Sequence, residues 1–476
     1  MPTTNGNRKI LDVKRWEFMA PAPNSTQAGA FIVSSRHFRQ QQMFVRSNSE
    51  AIMYNPAEDG WVNLPAVGLA GTFGAGASGT AGAWSTGSTV GAGSLTATAG
   101  TTSTITTNQN FQRDLRGYKV HILSGPNNGL VLDIVRNTTG ASSVITVATQ
   151  ASAFTASTVY RLLTPRYYIV GAGTLASASF RVYDYATNTW TTLSQTGLPA
   201  SLATDGKLIA TPSIVDGDFK TFATGTATSG TSTTIVQTGK TWTASSWINS
   251  QVRITGGTGA GQIRTITANT ADTLTVATWT TTPDATSTYA IEGNDNFLYY
   301  MGNNAVTMYR YDITANTWST LSPGVARGGA PTTGMSGHWV HSSPETDWTN
   351  ESAIQNGRFL YSFRGAAGAL LDRYDIAANS WAAVTYAPAA DTFTTGTKYA
   401  LHGGTIYVQK EATGRWFAFD IARAEMFPWS TMLYPQGAAI LGDTAFDVLY
   451  KDGSTEIYYV YMLLNTSNVL LRQMVI

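Results

Sequence analysis

Few residues in this chain combine a type and a spacing that could do chemistry. His338-Trp339-Val340-His341, followed by Glu345 and Asp347, is the one stretch that gathers metal-ligating types. Two histidines three positions apart fall on opposite sides of a strand, so the stretch reads as a connecting loop with solvated imidazoles. Thr255-Gly256-Gly257-Thr258-Gly259-Ala260-Gly261 has the glycine content of a phosphate loop, but no Lys-Ser or Lys-Thr follows it and no helical period begins there. A hairpin turn accounts for it better. Arg327, Arg358, Arg364 and Arg373 lie fairly close in sequence, yet nothing marks them as an anion-binding triad, and Arg373 adjoins a tyrosine with a structural reading. Asp184, Asp312 and Asp375 recur at the same place in a repeat, whereas a catalytic site needs one asymmetric constellation; turn capping is their reading. The chain has no cysteine, which excludes disulfides, thiolate metal sites and cysteine nucleophiles together. No catalytic, cofactor-binding or metal-ligating residue is therefore assigned, and a non-enzymatic protein without a cofactor is expected.

The elements that would have to position any site follow from composition and repetition. Only 12% of the 476 residues are charged, against roughly 25% in an ordinary soluble domain. Gly, Ala, Thr and Ser take their place, with 11% aromatics, and the apolar runs are rich in Tyr, Val, Ile, Thr and Trp, which favours strands. The net charge is +1 and the basic residues are scattered, so no stripe for sequence-specific nucleic acid is present. No apolar run reaches the roughly 18 residues that span a bilayer, and Met1-Pro2-Thr3-Thr4-Asn5-Gly6 has no signal-peptide core. Synthesis in the cytoplasm without an export signal is expected.

The chain is organised around Tyr311-Asp312-Ile313-Thr314-Ala315-Asn316-Thr317-Trp318. The pattern recurs from Tyr183 to Trp190 and from Tyr374 to Trp381, and more loosely from Tyr54 to Trp61. The reading is a hairpin. The Asp or Asn after the Tyr caps the turn, a later Asn or Gly takes the left-handed conformation, and the Tyr and Trp lie on neighbouring strands. A second apolar strand ending near glycine precedes three of these hairpins, at Tyr167–Gly171, Phe297–Gly302 and Phe359–Phe363.

A strand ending near glycine, a Tyr-Asp strand, a turn and a Trp strand together resemble the kelch repeat of β-propellers. The glycine half departs from it, with Gly171-Ala172-Gly173, Gly302 or Arg364-Gly365 where a double glycine is usual. The resemblance implies an all-β fold, a kelch-like β-propeller. Its enzymatic members of the copper radical type need a cysteine that this chain lacks. Six blades fit the residue count best, with five or seven also compatible. They are one from about Ala30 to Pro65, three centred on Trp190, Trp318 and Trp381, a degenerate one from Lys398 to about Tyr434, and a composite. In the composite, the orphan strand around Trp16 completes the three C-terminal strands and removes their exposed edge.

Two insertions repeat one another. Thr96-Ala97-Thr98-Ala99-Gly100 matches Thr226-Ala227-Thr228-Ser229-Gly230, Val120-His121-Ile122 matches Val252-Arg253-Ile254, and Asn137-Thr138 matches Asn269-Thr270. Each reads as a small β-barrel or sandwich, and their like insertion points put both on one face. The expected organisation is an N-terminal arm at 1–9, propeller at 10–67, a Gly/Ala/Ser/Thr-rich arm at 68–107, module 1 at 108–164, propeller at 165–223, module 2 at 224–294, and propeller again at 295–476 with the closing blade.

The paired modules resemble small β domains of bacteriophage structural proteins. That resemblance implies a phage virion protein, a rigid platform whose insertions and arm contact other virion proteins and copies of itself in a symmetric assembly. A place in the tail (nozzle, collar or adsorption apparatus) is favoured over capsid decoration. The alternative of another class is a carbohydrate-binding or glycan-processing propeller with aromatics in a central funnel, in contact with a host-surface glycan.

Overall fold

The computed structural model describes residues 16–24, 31–34, 42–45, 50–66 (less 57), 77–84, 94–210 (less 177 and 203–205), 221–327 (less 295 and 303–305), 338–339, 359–363, 370–386, 398–431 (less 403–404, 411–413 and 422) and 443–475 (less 453–454 and 465–467). Among them every regular element is a β-strand, and no helix is long and apolar enough to cross a membrane.

The strands form successive four-stranded antiparallel meanders, the unit of a β-propeller. The first is Phe31–Ser34, Gln42–Val45, Ala51–Asn55 and Gly60–Asn63. The second is Ser78–Trp84, the later part of Val159–Val170, Phe180–Asp184 and Thr189–Thr192. The third is Lys207–Ala210, Phe297–Met301, Met308–Asp312 and Thr317–Thr320. The fourth is His338–Trp339, Phe359–Phe363, Leu370–Asp375 and Ser380–Thr385. The fifth is Lys398–His402, Thr405–Gln409, Arg415–Asp420 and Glu425–Thr431. In the sixth, Asp443–Asp452, Thr455–Leu463 and Leu470–Val475 are joined by Glu17–Phe18 from the other end of the chain. There Glu17 lies opposite Arg472, and their side chains pair at 2.7 Å.

Both faces of each sheet are apolar, so each sheet buries itself against the next. Tyr168 and Val182 of the second pack on Tyr300 and Trp318 of the third, and Tyr299 and Met308 of the third on Tyr374 and Trp381 of the fourth. Tyr361 and Leu371 meet Val408 and Phe419 of the fifth, and Tyr407 and Trp416 meet Val460 and Leu471 of the sixth. Tyr459 and Leu470 of the sixth pack on Ile52 and Tyr54 of the first, and Phe31 and Met53 of the first on Tyr167 and Ile169 of the second.

The repeated hairpin has one geometry throughout. Tyr and Trp stand directly across in register (Tyr54↔Trp61, Tyr183↔Trp190, Tyr311↔Trp318, Tyr374↔Trp381), with ring centroids 5.0–5.2 Å apart. Each Tyr hydroxyl donates at 2.5–2.6 Å to the residue five positions on, Asp59, Asn188, Asn316 or Asn379, and each of those four has φ between 46° and 56°. Asp184, Asp312 and Asp375 accept backbone N–H bonds within the turns, which is the capping role read from the sequence. The chain leaving a sheet then straps the tryptophan of the following one. Trp61 Nε1 donates to Ala20 O and Trp190 Nε1 to Pro65 O, while the Trp318 and Trp381 backbone N–H groups donate to Thr196 O and Val325 O. A left-handed alanine is strained where asparagine and glycine are tolerated. Asn379→Ala is therefore expected to cost about 1–2 kcal/mol more than Asn379→Gly in urea titrations, since both lose the Tyr374 bond.

The stretch 68–107, expected as an arm whose last part belongs to the first module's repeat, is also partly frame. Ser78–Trp84 is the first strand of the second sheet, paired along its length with 164–170, and module 1 already begins at Leu95–Thr96. Both modules enter between the first and second strands of consecutive sheets. Module 1 is a sandwich of two sheets, one of Leu95–Thr96, Val159–Val170, Lys119–Ser124 and Val131–Asp133, the other of Ala99–Gly100, Thr104–Thr106, Val144–Thr146 and Arg136–Asn137. Module 2 repeats this arrangement, except that Ile263–Asn269 runs unbroken through both halves.

Candidate functional site

The two modules, expected from the sequence to contact other molecules, are set against each other in the structure. In module 1, Lys119–Ser124 pairs with Val159–Val170 so that His121 stands opposite Arg161; in module 2, Gln251–Gly256 pairs with Thr288–Glu292 so that Arg253 stands opposite Ala290 and Gln251 opposite Glu292. Side chains alternate along a strand. Val120 and Ile122, like Val252 and Ile254, therefore enter their module's own core, while His121 and Arg253 lie on the other face. Those faces meet.

The contact is reciprocal between equivalent residues. A side chain on Gly129 would meet Thr255 O at 3.1 Å, and one on Gly261 would meet Leu123 O at 2.5 Å; Gly129 matches Gly261, and Leu123 matches Thr255. Both glycines have positive φ, 80° and 88°, and close the 125–129 and 257–261 turns through N–H bonds to Ile122 O and Ile254 O. The glycine-rich stretch 255–261 is thus a hairpin turn whose glycines admit another backbone. Asn128 Nδ2 donates to Ala260 O at 3.2 Å and Arg253 donates from NH1 to Gly129 O at 3.3 Å, both across the junction.

The junction is charged and buried. Arg253 binds Glu292 through Nε and NH2 at 2.5–3.2 Å, Gln251 donates to Glu292 at 3.3 Å, and Glu292 and His121 are fully buried. Burial first, then Arg161 and Arg253, hold the His121 imidazole well below the usual histidine range. Arg161 is also buried.

Each module is also tied to a hairpin turn of the sheets. Arg113 donates to Tyr183 Oη and to Asn188 Oδ1 at 3.1 and 3.0 Å and lies over the Tyr185 ring, while Gln112 N donates to Ala186 O. Burial there pushes the Tyr183 hydroxyl up to about 12, against the pull of Arg113. From module 2, Asn249 Nδ2 donates to Ile376 O in the turn of the fourth sheet at 2.9 Å.

The other groups weighed from the sequence are placed as follows. His338 and Trp339 open the fourth sheet, and His341, Glu345 and Asp347 lie outside the described residues. Among the described residues no three His, Asp or Glu are grouped to hold a metal ion. Arg327 is fully buried between the third and fourth sheets, bound to Asp372 at 2.6 Å and Ser362 at 3.0 Å, with its guanidinium 5.2 Å from the Trp381 ring centre. Arg373 lies over the Phe359 ring, on the opposite face of its strand from Asp372, so Arg327 and Arg373 do not converge. Arg358 and Arg364 lie outside the described residues. The junction itself was missed. Its signal was a polar residue at the same place on the outer face of both modules, His121 and Arg253, with Glu292 on the strand beside Arg253.

No protein-family model matches this chain, and no curated protein does. Among solved structures it is similar to a glutaminyl cyclase of Myxococcus xanthus (11% identity, TM-score 0.25, over 51% of this chain and 97% of that one). It is also similar to YCF48 bound to D1 peptide (7%, 0.33, 96% and 94%) and to the hydrazine synthase of Kuenenia stuttgartiensis (14%, 0.22, 38% and 46%). Likenesses of this strength carry no argument about what the chain does.

Proposed function

We propose that this chain is a non-enzymatic structural protein of a bacteriophage virion, a closed six-bladed kelch-like propeller serving as a rigid platform in the tail. The observation that carries the reading is where the chemistry-bearing side chains go. Arg327 with Asp372 and Arg166 with Asp184 are buried pairs within the sheets, Arg253 with Glu292 is buried at the module junction, and Tyr311, Trp318, Tyr374 and Trp381 are wedged between sheets. Among the described residues, Tyr311, Trp318, Tyr374 and Trp381 are committed to packing between sheets, which supports the platform reading over a glycan funnel built from them. Because the modules face each other, contacts to neighbouring subunits fall on other surfaces. Phe18, Val62 and Phe427, on the outermost strands of the sixth, first and fifth sheets, are 66%, 45% and 42% exposed and supply apolar area at the rim.

The test is made on particles and on the purified full chain. Mass spectrometry of virions is expected to find the protein at a fixed ratio to the other tail proteins, with immunogold label at the tail under negative stain. Label over the capsid surface would favour decoration instead. A protein absent from particles, monomeric by sedimentation and cleaving or binding polysaccharide, would refute the structural reading.

A further inference from the structure

The two modules meet as an approximate two-fold pair, in which each residue near the axis faces its own counterpart. Had both modules kept arginine at the matched position, two guanidinium groups would confront each other in a buried site, which is unfavourable. Module 2 keeps Arg253 and module 1 has His121. The charged groups around His121 are Arg161 directly across its sheet, Arg253 and its partner Glu292 from module 2, and the Lys119–Asp133 pair, 2.7 Å apart, on its own strand and the edge strand. Glu292 is already engaged by Arg253 and Gln251.

We propose that this junction is an acid-released latch, in which a proton taken up by the His121 ring separates module 1 from module 2 while the sheets beneath remain folded. The proton would place a third cation beside Arg161 and Arg253, in a site that water reaches only when the modules part. The sign follows from linkage. Above an ordinary histidine pKa of about 6.5, neither the docked nor the parted form binds the proton, and the latch is closed. Below it the parted form binds a proton that the docked form refuses, so docking weakens about tenfold per pH unit until the docked ring itself titrates. The proposal is independent of the virion reading.

Hydrogen exchange on the full chain, corrected for intrinsic rates, tests it between pH 8 and 4.5. The amides of Gly129 and Gly261, in the surface turns that only the opposite module covers, are expected to lose at least tenfold protection, while those of Leu370–Asp375 keep theirs. His121→Leu is expected to hold its protection at the lower pH. Unchanged protection in the wild type, or equal acid sensitivity in His121→Leu, overturns the latch. Should that variant not fold, the His121 ring resonance of the wild type decides: it must titrate with the same midpoint as the loss of protection, and separate midpoints reject the proposal.

Discussion

Asp372→Ala is expected to destabilise the protein by about 3–5 kcal/mol, the largest effect of any single carboxylate removal in the sheets. The side chains of Arg327 and Asp372 are buried to within 1% of complete, so losing the carboxylate removes a counter-charge from a buried guanidinium. Ser362 Oγ and the Trp381 ring remain beside it, but neither supplies a counter-charge. The double variant Arg327→Met/Asp372→Leu removes both charges and is expected to recover most of the loss, because an apolar pair of similar volume avoids the desolvation cost. Urea unfolding followed by near-ultraviolet circular dichroism measures both. A single variant within about 1 kcal/mol of wild type would show that the pair does not hold the third and fourth sheets together.

Trp318→Ala follows at about 3–5 kcal/mol, the range for deleting a large buried aromatic. Its ring is 5% exposed and touches Tyr311 at 5.1 Å and Phe180 at 5.0 Å, so the cavity opens between two sheets. Trp190→Ala, at the same place in the preceding hairpin, is expected to cost less, since that indole is only partly buried and its Nε1 reaches Pro65 O near solvent. Equal losses in the two would mean that the hairpin itself, and not burial between sheets, sets the value. The same urea titration reads both.

These two sites differ in how far the sequence revealed them. The Tyr-to-Trp spacing is local: turn chemistry at Asn188, Asn316 and Asn379 fixes the register, and register places the rings across from each other. Arg327 and Asp372 are 45 residues apart and follow no period, so only the folded chain joins them. Ser78–Trp84 was illegible for a different reason. Most of its residues are small, and at Gly79 the neighbouring first sheet requires it, since a side chain there would run into the Phe31 ring. Such a strand has no apolar alternation to detect and reads as linker. The module junction hid behind its own logic, since polar residues on a strand's outer face ordinarily signal solvent, and here they meet a second copy of the same face.

The unbroken strand Val159–Val170 gives the two modules unlike mechanics. It runs twelve residues, about 40 Å, from the sandwich of module 1 into the second sheet, hydrogen-bonded on both sides along most of its length. A tug on module 1 is thus carried into the body as shear across many bonds at once, like the tang of a blade set in its handle. Module 2 enters through the short joint between Glu292 and Phe297, steadied by Asn294 and Asn296. Under load, compliance belongs to that second joint.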